Sequence, residues 1–512
     1  MDADRRKMLI GVSGATGALL AAHPPAAQSQ TTISAEEVSF LQAGMGAVPR
    51  TVQAKLRETV SIRDFGAVMD GVTDDYAAIA AALASGARRV TVPGLGTAYY
   101  TRTVNVPPGV ELIGEGGTLR VPQRINALNL LDEATVSDLT IDGTQVDDAI
   151  GGSGVILLGD GCTVRNVTSK NFGYHGFASG PGGADRAVIL GCRAFNCGHR
   201  GINLSEGSCY NRITNFEARN CRRAGLILGY LSNFNVIQGL YIDGHSASVG
   251  GAGLWAHMNS DYNIFDDIVI GPQDTTGNKC PALLLGAGCV GNSFSRIKIF
   301  AAGLRGILLW NQDVDHPELG TFNTPLAGNR FSDISIIGTD VIEDLSSGIV
   351  MNSDEGQVVQ NNIFDRVYID RFKDGVLDQD GLTNGIEFSN FRFGAGIANR
   401  RMRVGNLANR YRTGRRFNCA GLTGMGSLAL ATAEYEAHPA VPASNVELVQ
   451  PYPFPVMIFL SGLAGSTGVK IDGVNVNSVL HDLGNGTYTL LPQQTITLTY
   501  SSGTPAWRWF GL

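Results

Sequence analysis

Three consecutive segments of the chain hold one frame while the ionisable residues inside it change: N-F-G-Y-H-G-F at 171–177, N-C-G-H-R-G-I at 196–202 and N-C-R-R-A-G-L at 220–226. The Asn, the Gly and the apolar residue after that Gly recur. The two residues before the Gly run Tyr174-His175, His199-Arg200 and Arg223-Ala224. Phenol, imidazole and guanidinium groups at one repeated slot suit β-elimination on a uronic acid polymer. A guanidinium neutralises the carboxylate so that the adjacent C–H becomes acidic. An imidazole or phenol takes that proton, and a second one protonates the leaving oxygen. Tyr174, His175, His199, Arg200 and Arg223 are therefore the candidate catalytic residues, with Arg200 or Arg223 as neutraliser and the other three as base and acid. Any one of these residue types in a turn can equally be a cap on backbone carbonyls; it is the grouping that points to chemistry.

What must position them is a repeat. The pattern N-x-[I/F/V]-x-x-[I/L/F/V]-x-[I/A] appears as N-R-I-T-N-F-E-A at 211, N-V-I-Q-G-L-Y-I at 235 and N-I-F-D-D-I-V-I at 263. It returns as N-S-F-S-R-I-K-I at 292, N-R-F-S-D-I-S-I at 329 and N-I-F-D-R-V-Y-I at 362. A second strand falls between successive copies, as in G-I-N-L at 201, G-L-I-L at 225 and G-L-W-A at 253. Each unit is too small to bury its own apolar face, so neighbours must stack into a continuous core. The unit is strand-rich, has no helix signal and lacks the spacing of leucine-rich repeats, which predicts an all-β chain wound as a right-handed parallel β-helix. The repeated Asn is expected in a turn, in a left-handed conformation and bonded to its equivalent one coil away.

Slot alignment turns such a sequence into a surface map, because adjacent coils lie about 4.8 Å apart. Tyr174, His199 and Arg223 should span roughly 10 Å over two coil steps. The second and fourth residues after each strand Gly point outward. This assigns Asn203, Trp255, His257 and Trp310 to substrate binding, together with Glu206 just past the strand. Trp255 and Trp310 suit stacking on sugar rings, or contact with another copy in a trimer. Glycoside hydrolysis is the alternative chemistry, with Asp313 or Asp315 facing Asp354 or Glu355 as the two carboxylates it requires. Epimerisation stays open as a cousin of elimination, and a polysaccharide-binding scaffold without catalysis is a third class. Acidic ladders could hold Ca²⁺, but no acidic set aligns across three coils, so no metal and no cofactor are expected.

Before the coils, V-S-I-R-D-F-G-A-V-M-D-G-V-T-D-D-Y-A-A-I-A-A-A-L predicts a strand, a turn and a short capping helix, with Thr73 as N-cap and Asp74 and Asp75 in the first turn. Together with V-T-V-P-G and G-V-E-L-I-G-E-G further on, D-F-G-A-x-x-D-G-x-T-D-D resembles the N-terminal part of the pectate-lyase-like β-helix superfamily. That group includes polysaccharide lyases, family 28 type glycoside hydrolases, alginate epimerases and tailspike depolymerases. The resemblance covers roughly 60–400 with the coils and implies the fold and a polysaccharide substrate. The motif itself is a cap without a catalytic group. The family 28 signature and the D-P-H motif of the epimerases are absent, and R-I-K at Arg296–Lys298 falls on the repeat pattern. Residues 445–512 read as alternating strands of a small β-sandwich; it looks like the C-terminal modules of some tailspike-type proteins, which implies a homotrimer.

The expected layout is a signal peptide at 1–27, an extension at 28–58, the β-helix at 59–400, a coil-terminating segment at 401–444 and the sandwich at 445–512. Arg5-Arg6 followed by an apolar, Gly/Ala-rich run resembles a twin-arginine export signal too short to span a bilayer, and implies a periplasmic or secreted protein with no membrane insertion. The 66 glycines and only 17% charged residues suit short strands joined by tight turns. A net charge of −7 offers no basic surplus for nucleic acid. Of the eight cysteines, Cys192 falls on a core position and Cys197 and Cys221 share one slot, which favours buried free thiols over a disulfide framework.

Overall fold

The computed structural model describes residues 33–512 except 123, 145–150, 246–250, 273–279, 313, 317–319, 323, 341–345, 355–356, 380–382, 399, 404–409, 412–438, 451–455, 465–467, 476–485, 492 and 512. The twin-arginine reading of 1–27 lies outside these residues. Two compact units emerge, divided after Arg57. The first carries a short antiparallel pair, Ser39–Phe40 with Arg50–Thr51, and a one-turn helix, Val52–Leu56, whose N-cap Thr51 accepts from the Ala54 N–H.

In the second unit the chain winds as a parallel β-solenoid. One ladder of 12 parallel strands runs from Val104–Val106 to Arg400–Arg403. The second and third faces begin as separate strands, such as Val188–Leu190 and Arg193–Phe195, and then fuse. Arg212–Arg219 pairs with both, Arg212 opposite Val188 and Glu217 opposite Arg193. A single left-handed residue makes the bend between these faces on coil after coil: Asn166, Gly191, Asn215, Gly239, Asp267, then Arg296. Gly, Asn and Asp adopt that conformation at little cost. Arg296 does not, and it is tied to Asp266 of the preceding coil by an ion pair; Arg366 is likewise held to Asp333 at 2.6 Å.

The apolar positions of the repeat line the interior. Phe265, Phe294, Phe331, Phe364 and Phe388 form one stack with centroid spacings of 4.6, 4.6, 4.6 and 5.6 Å, all fully or almost fully buried. Beside it the repeated Asn residues bond as expected. Oδ1 of Asn235, Asn263, Asn292, Asn329 and Asn362 each accepts the backbone N–H of the preceding ladder Asn at 2.8 to 2.9 Å. Their amide N–H groups satisfy turn carbonyls such as Ser208 O and Ser232 O at 3.0 Å. The left-handed residue is not the ladder Asn itself, as expected from sequence, but the one before it: Tyr210, Phe234, Tyr262, Gly291, Gly328 and Asn361. The reason is geometric, since the ladder Asn must already be extended to start the next strand while its predecessor reverses the chain.

The seven cysteines among the described residues are free thiols, six of them buried. The helix is Tyr76–Leu83 and buries Ala78, Ile79, Ala82 and Leu83 in the same core as the coils. Thr73 is not its N-cap. It lies in the strand Asp70–Asp74 and donates its hydroxyl to Asp70 at 2.8 Å, while Asp75 holds the cap position without a side-chain cap bond. The acidic motif is spent on the backbone: Asp75 accepts from Val68 and Met69 N–H, and Asp70 from Val72 and Thr73 N–H. Past residue 400, Arg400–Arg403 and Arg410–Tyr411 extend both ladders, against Asp374–Asp378 and Glu387–Ser389. In the C-terminal segment, two small antiparallel sheets contribute to one apolar cluster that includes Val456, Ile458, Val469, Ile496, Trp507 and Trp509.

Candidate functional site

Register carries the sequence slots into space. His175 pairs with Arg200 and Arg200 with Ala224; Ala178 pairs with Asn203, Asn203 with Ile227 and Ile227 with Trp255. One residue upstream the ladder is closed by backbone bonds. Tyr174 O accepts from the N–H of His199 at 3.0 Å, and His199 O from that of Arg223 at 2.7 Å. The frame around them is structural. Asn171, Asn196 and Asn220 are left-handed, and the amides of Asn196 and Asn220 each donate to the Asn one coil before. The strand Gly faces inward, where a Cβ on Gly201 would stand 2.6 Å from the Gly225 carbonyl oxygen and 2.8 Å from Ala218 Cβ. The two residues before the Gly change from coil to coil; of these Tyr174 is exposed, while His175 and His199 are buried behind it.

Tyr174, His175 and His199 form a three-ring cluster. Tyr174 lies parallel on His199 with centroids 4.5 Å apart, and His175 stands 4.0 Å from Tyr174 and 5.1 Å from His199. The phenol is exposed at 41%, whereas both imidazoles are at 5% or less. Burial holds His199 down to about 3, with Arg200 and Arg223 adding to the effect, and holds His175 well below the usual imidazole range through burial, then Arg200 and His199. Both rings are thus neutral near neutral pH. Burial lowers Arg200 as well, to about 10, leaving it protonated. Among the described residues, Nδ1 of His175 and His199 and Nε of Arg200 and Arg223 are buried without a hydrogen-bond partner. Among the described residues neither guanidinium has a carboxylate partner. Unpaired buried donors beside unpaired guanidinium charge make a site that a carboxylate would complete.

The polar surface continues along the same face. Arg200 Nη1 donates to Asn203 Oδ1 at 2.8 Å, and Ser205 Oγ donates to the same oxygen at 3.2 Å. His257, held to about 3 by burial and then by Arg200, stacks on Trp255 at 4.6 Å, and Tyr230 packs against it at 5.6 Å. Trp255 and Trp310 flank one apolar cluster of Ala252, Leu284, Leu308 and Val350. Trp310 Nε1 donates to Asp354 at 3.1 Å. Glu206 sits apart on an exposed left-handed turn, accepting from Gly182 N–H at 3.0 Å. Asp313 and Glu355 lie outside the described residues. Asp315 is described only as backbone, in the hairpin of Val314–His316 with Gly320–Phe322. Tyr230 was missed from sequence, although it stands five residues after Gly225 as Glu206 does after Gly201. The same alignment, applied once more, finds it. Among the described residues no group of three His, Cys, Asp or Glu is placed to hold a metal ion.

Residues 128–313 match the family model described as right handed beta helix region. No curated protein matches the chain. Among solved structures, the catalytic domain of a GH87 α-1,3-glucanase in complex with nigerose is 15% identical, with 68% of this chain and 67% of that one covered at a TM-score of 0.51. The tailspike protein 3 of bacteriophage CBA120 is 15% identical, covering 82% of this chain and 70% of its own at 0.44. The A-module of the Azotobacter vinelandii mannuronan C-5 epimerase AlgE4 is 15% identical, covering 67% and 99% at 0.40. Coil register, family-model match and likeness to the glucanase domain agree on the fold: the chain is a right-handed parallel β-helix protein.

Proposed function

We propose that the protein is an exported enzyme that cleaves an acidic polysaccharide by β-elimination at the corner formed by Tyr174, His175, His199, Arg200 and Arg223. The observation that carries this is the coincidence, on three adjacent coils, of two guanidiniums and two neutral imidazoles whose carboxylate and hydrogen-bond partners are missing among the described residues. The likeness of the fold to a polysaccharide-acting glucanase supports a sugar polymer as substrate.

Arg200 and Arg223 take the substrate carboxylate, which lowers the cost of forming a carbanion beside it. The arriving charge offsets the positive field on His199, so this imidazole becomes more basic as substrate seats. His199 accepts the proton α to the carboxylate, and the electron pair moves into the carboxylate. It returns to form the carbon–carbon double bond as the glycosidic C–O bond breaks, and the Tyr174 hydroxyl protonates the leaving oxygen. His175 walls the two rings from behind. Incubation with a panel of uronic and neutral polymers, followed by ultraviolet absorbance of unsaturated ends, tests this. Absorbance must rise on at least one uronic polymer and on no neutral one.

A second reading, hydrolysis, is favoured by one contact: the Trp310 indole fixes the Asp354 carboxylate beside an aromatic surface of the same face. With Asp313 or Asp315 as its partner, Asp354 would supply one of two acids, and new reducing ends would appear without that absorbance.

A further inference from the structure

Asn203 interrupts an apolar stretch of its row. The neighbouring positions that register with it, Ala178, Ile227, Trp255, Leu284, Leu308 and Val350, are apolar or aromatic. The row also carries Asn105 and Asn129, but these lie beyond Ile156 and bond to each other at 2.9 Å. Asn203 has no amide in its row on the adjacent coils to pair with, so its place needs another reason. Its immediate contacts say which way it faces. Arg200 can only donate, so the Asn203 atom 2.8 Å from Nη1 must be the oxygen. Ser205 Oγ reaches the same oxygen at 3.2 Å. Ser205 is itself anchored, its backbone N–H donating to Ser179 Oγ at 2.9 Å and its carbonyl accepting from Ser208 Oγ at 2.7 Å. With two donors on Oδ1 the amide cannot flip without setting its N–H groups against the guanidinium. The Nδ2 end has no partner among the described residues.

Resting on the elimination reading above, we propose that Asn203 is the electrophilic donor of the site. Its Nδ2–H groups are held by Arg200 and Ser205 toward the carboxylate oxygen that receives the electron pair when the α C–H breaks. The acidic polymer then meets two kinds of donor: guanidiniums that bind its charge in the ground state, and a neutral amide whose bond strengthens as charge builds on that oxygen. No oxidant or second substrate enters; the proton goes to His199, and the pair passes through the carboxylate into the new double bond. Ser205 is a positioning residue and acts only through Asn203.

The test compares Asn203→Ala, Asn203→Asp, Ser205→Ala and Ser205→Thr with the native chain, in turnover of a uronic polymer and in calorimetric binding of hexagalacturonate and hexamannuronate. Alanine already stands on this row at Ala178, so Asn203→Ala should fold, and the melting temperature verifies it. Asn203→Ala is expected to lower kcat about 10²-fold or more with KM little changed, as for loss of one oxyanion donor. Ser205→Ala should lower kcat in the same direction by less, and Ser205→Thr, which keeps the hydroxyl, should restore it. Asn203→Asp should abolish hexauronate binding. A folded Asn203→Ala enzyme with kcat within threefold of native overturns the proposal. If the native chain releases no unsaturated ends from any polymer, the elimination reading fails separately, and binding decides. Native binding lost in Asn203→Asp keeps the donor assignment; equal binding, or none by the native chain, removes it.

Discussion

The phenol ring of Tyr174 lies flat on the imidazole of His199, 7° from parallel with centroids 4.5 Å apart, although the two belong to different coils. The Tyr174 carbonyl accepts the His199 N–H, so the coil register itself holds the pair. Tyr174→Phe keeps that stack and removes only the hydroxyl. Turnover should fall about 10²–10⁴-fold, the range of a lost general acid or base, with the melting temperature unchanged. His199→Ala should lose turnover as well as the stack. Steady-state kinetics beside thermal melts separates the two.

The imidazole shifts fix the acid limb of the rate profile. His199 is held to about 3 in the free protein, so kcat/KM should not break near the ordinary histidine value of about 6.5. In the complex the substrate carboxylate raises His199, so the limb in kcat should lie at higher pH than the limb in kcat/KM. A kcat/KM limb at the ordinary value would show that His199 is not buried as described.

Stability should depend on the same groups. His245 is buried inside the solenoid, its two ring nitrogens have no hydrogen-bond partner among the described residues, and burial holds it to about 4. Its folded value is below its unfolded value, so the unfolded chain binds the extra proton. The stability is complete above about 6.5 and is lost as pH falls through about 4, on the order of a few kcal/mol for a shift of this size. The melting temperature should fall steadily between those pH values. His245→Cys, which places in this slot the residue found at Cys197 and Cys221, should flatten that fall.

The Asn ladder should be brittle. Asn263 accepts the Asn235 N–H at 2.8 Å and donates to Ser232 O and Asn292 Oδ1 at 3.0 Å, all buried. Asn263→Ala orphans these groups at about 1–3 kcal/mol each, and a chemical denaturation midpoint should drop accordingly. Asn→Ala at the exposed, left-handed Asn445 should not approach that effect.

Much of this architecture was legible because a solenoid repeats its reasons. Phe265 to Phe388 and Asn211 to Asn362 recur at fixed slots since each coil must stack on the last, and slot counting alone gathers Tyr174, His175, His199, Arg200 and Arg223. What the sequence hid were properties of single turns. Thr73 reads as an N-cap, yet Asp70 claims its hydroxyl within a strand. The left-handed residue beside the Asn ladder is Tyr210 or Phe234, types whose preferences argue against it. The clamp of Arg200 and Ser205 on Asn203 depends on side-chain reach along one strand, which a slot count does not encode.

The two chemistries leave products of different mass, and that is the most direct test of the central claim. A defined uronic oligosaccharide is incubated with the purified protein and the fragments are weighed by mass spectrometry. Elimination adds nothing, so the fragment masses must sum to that of the parent, with the double bond on the fragment carrying the new non-reducing end. Fragments that sum to the parent plus one water would contradict β-elimination at the Tyr174, His199 and Arg200 corner and move the chemistry to Asp354.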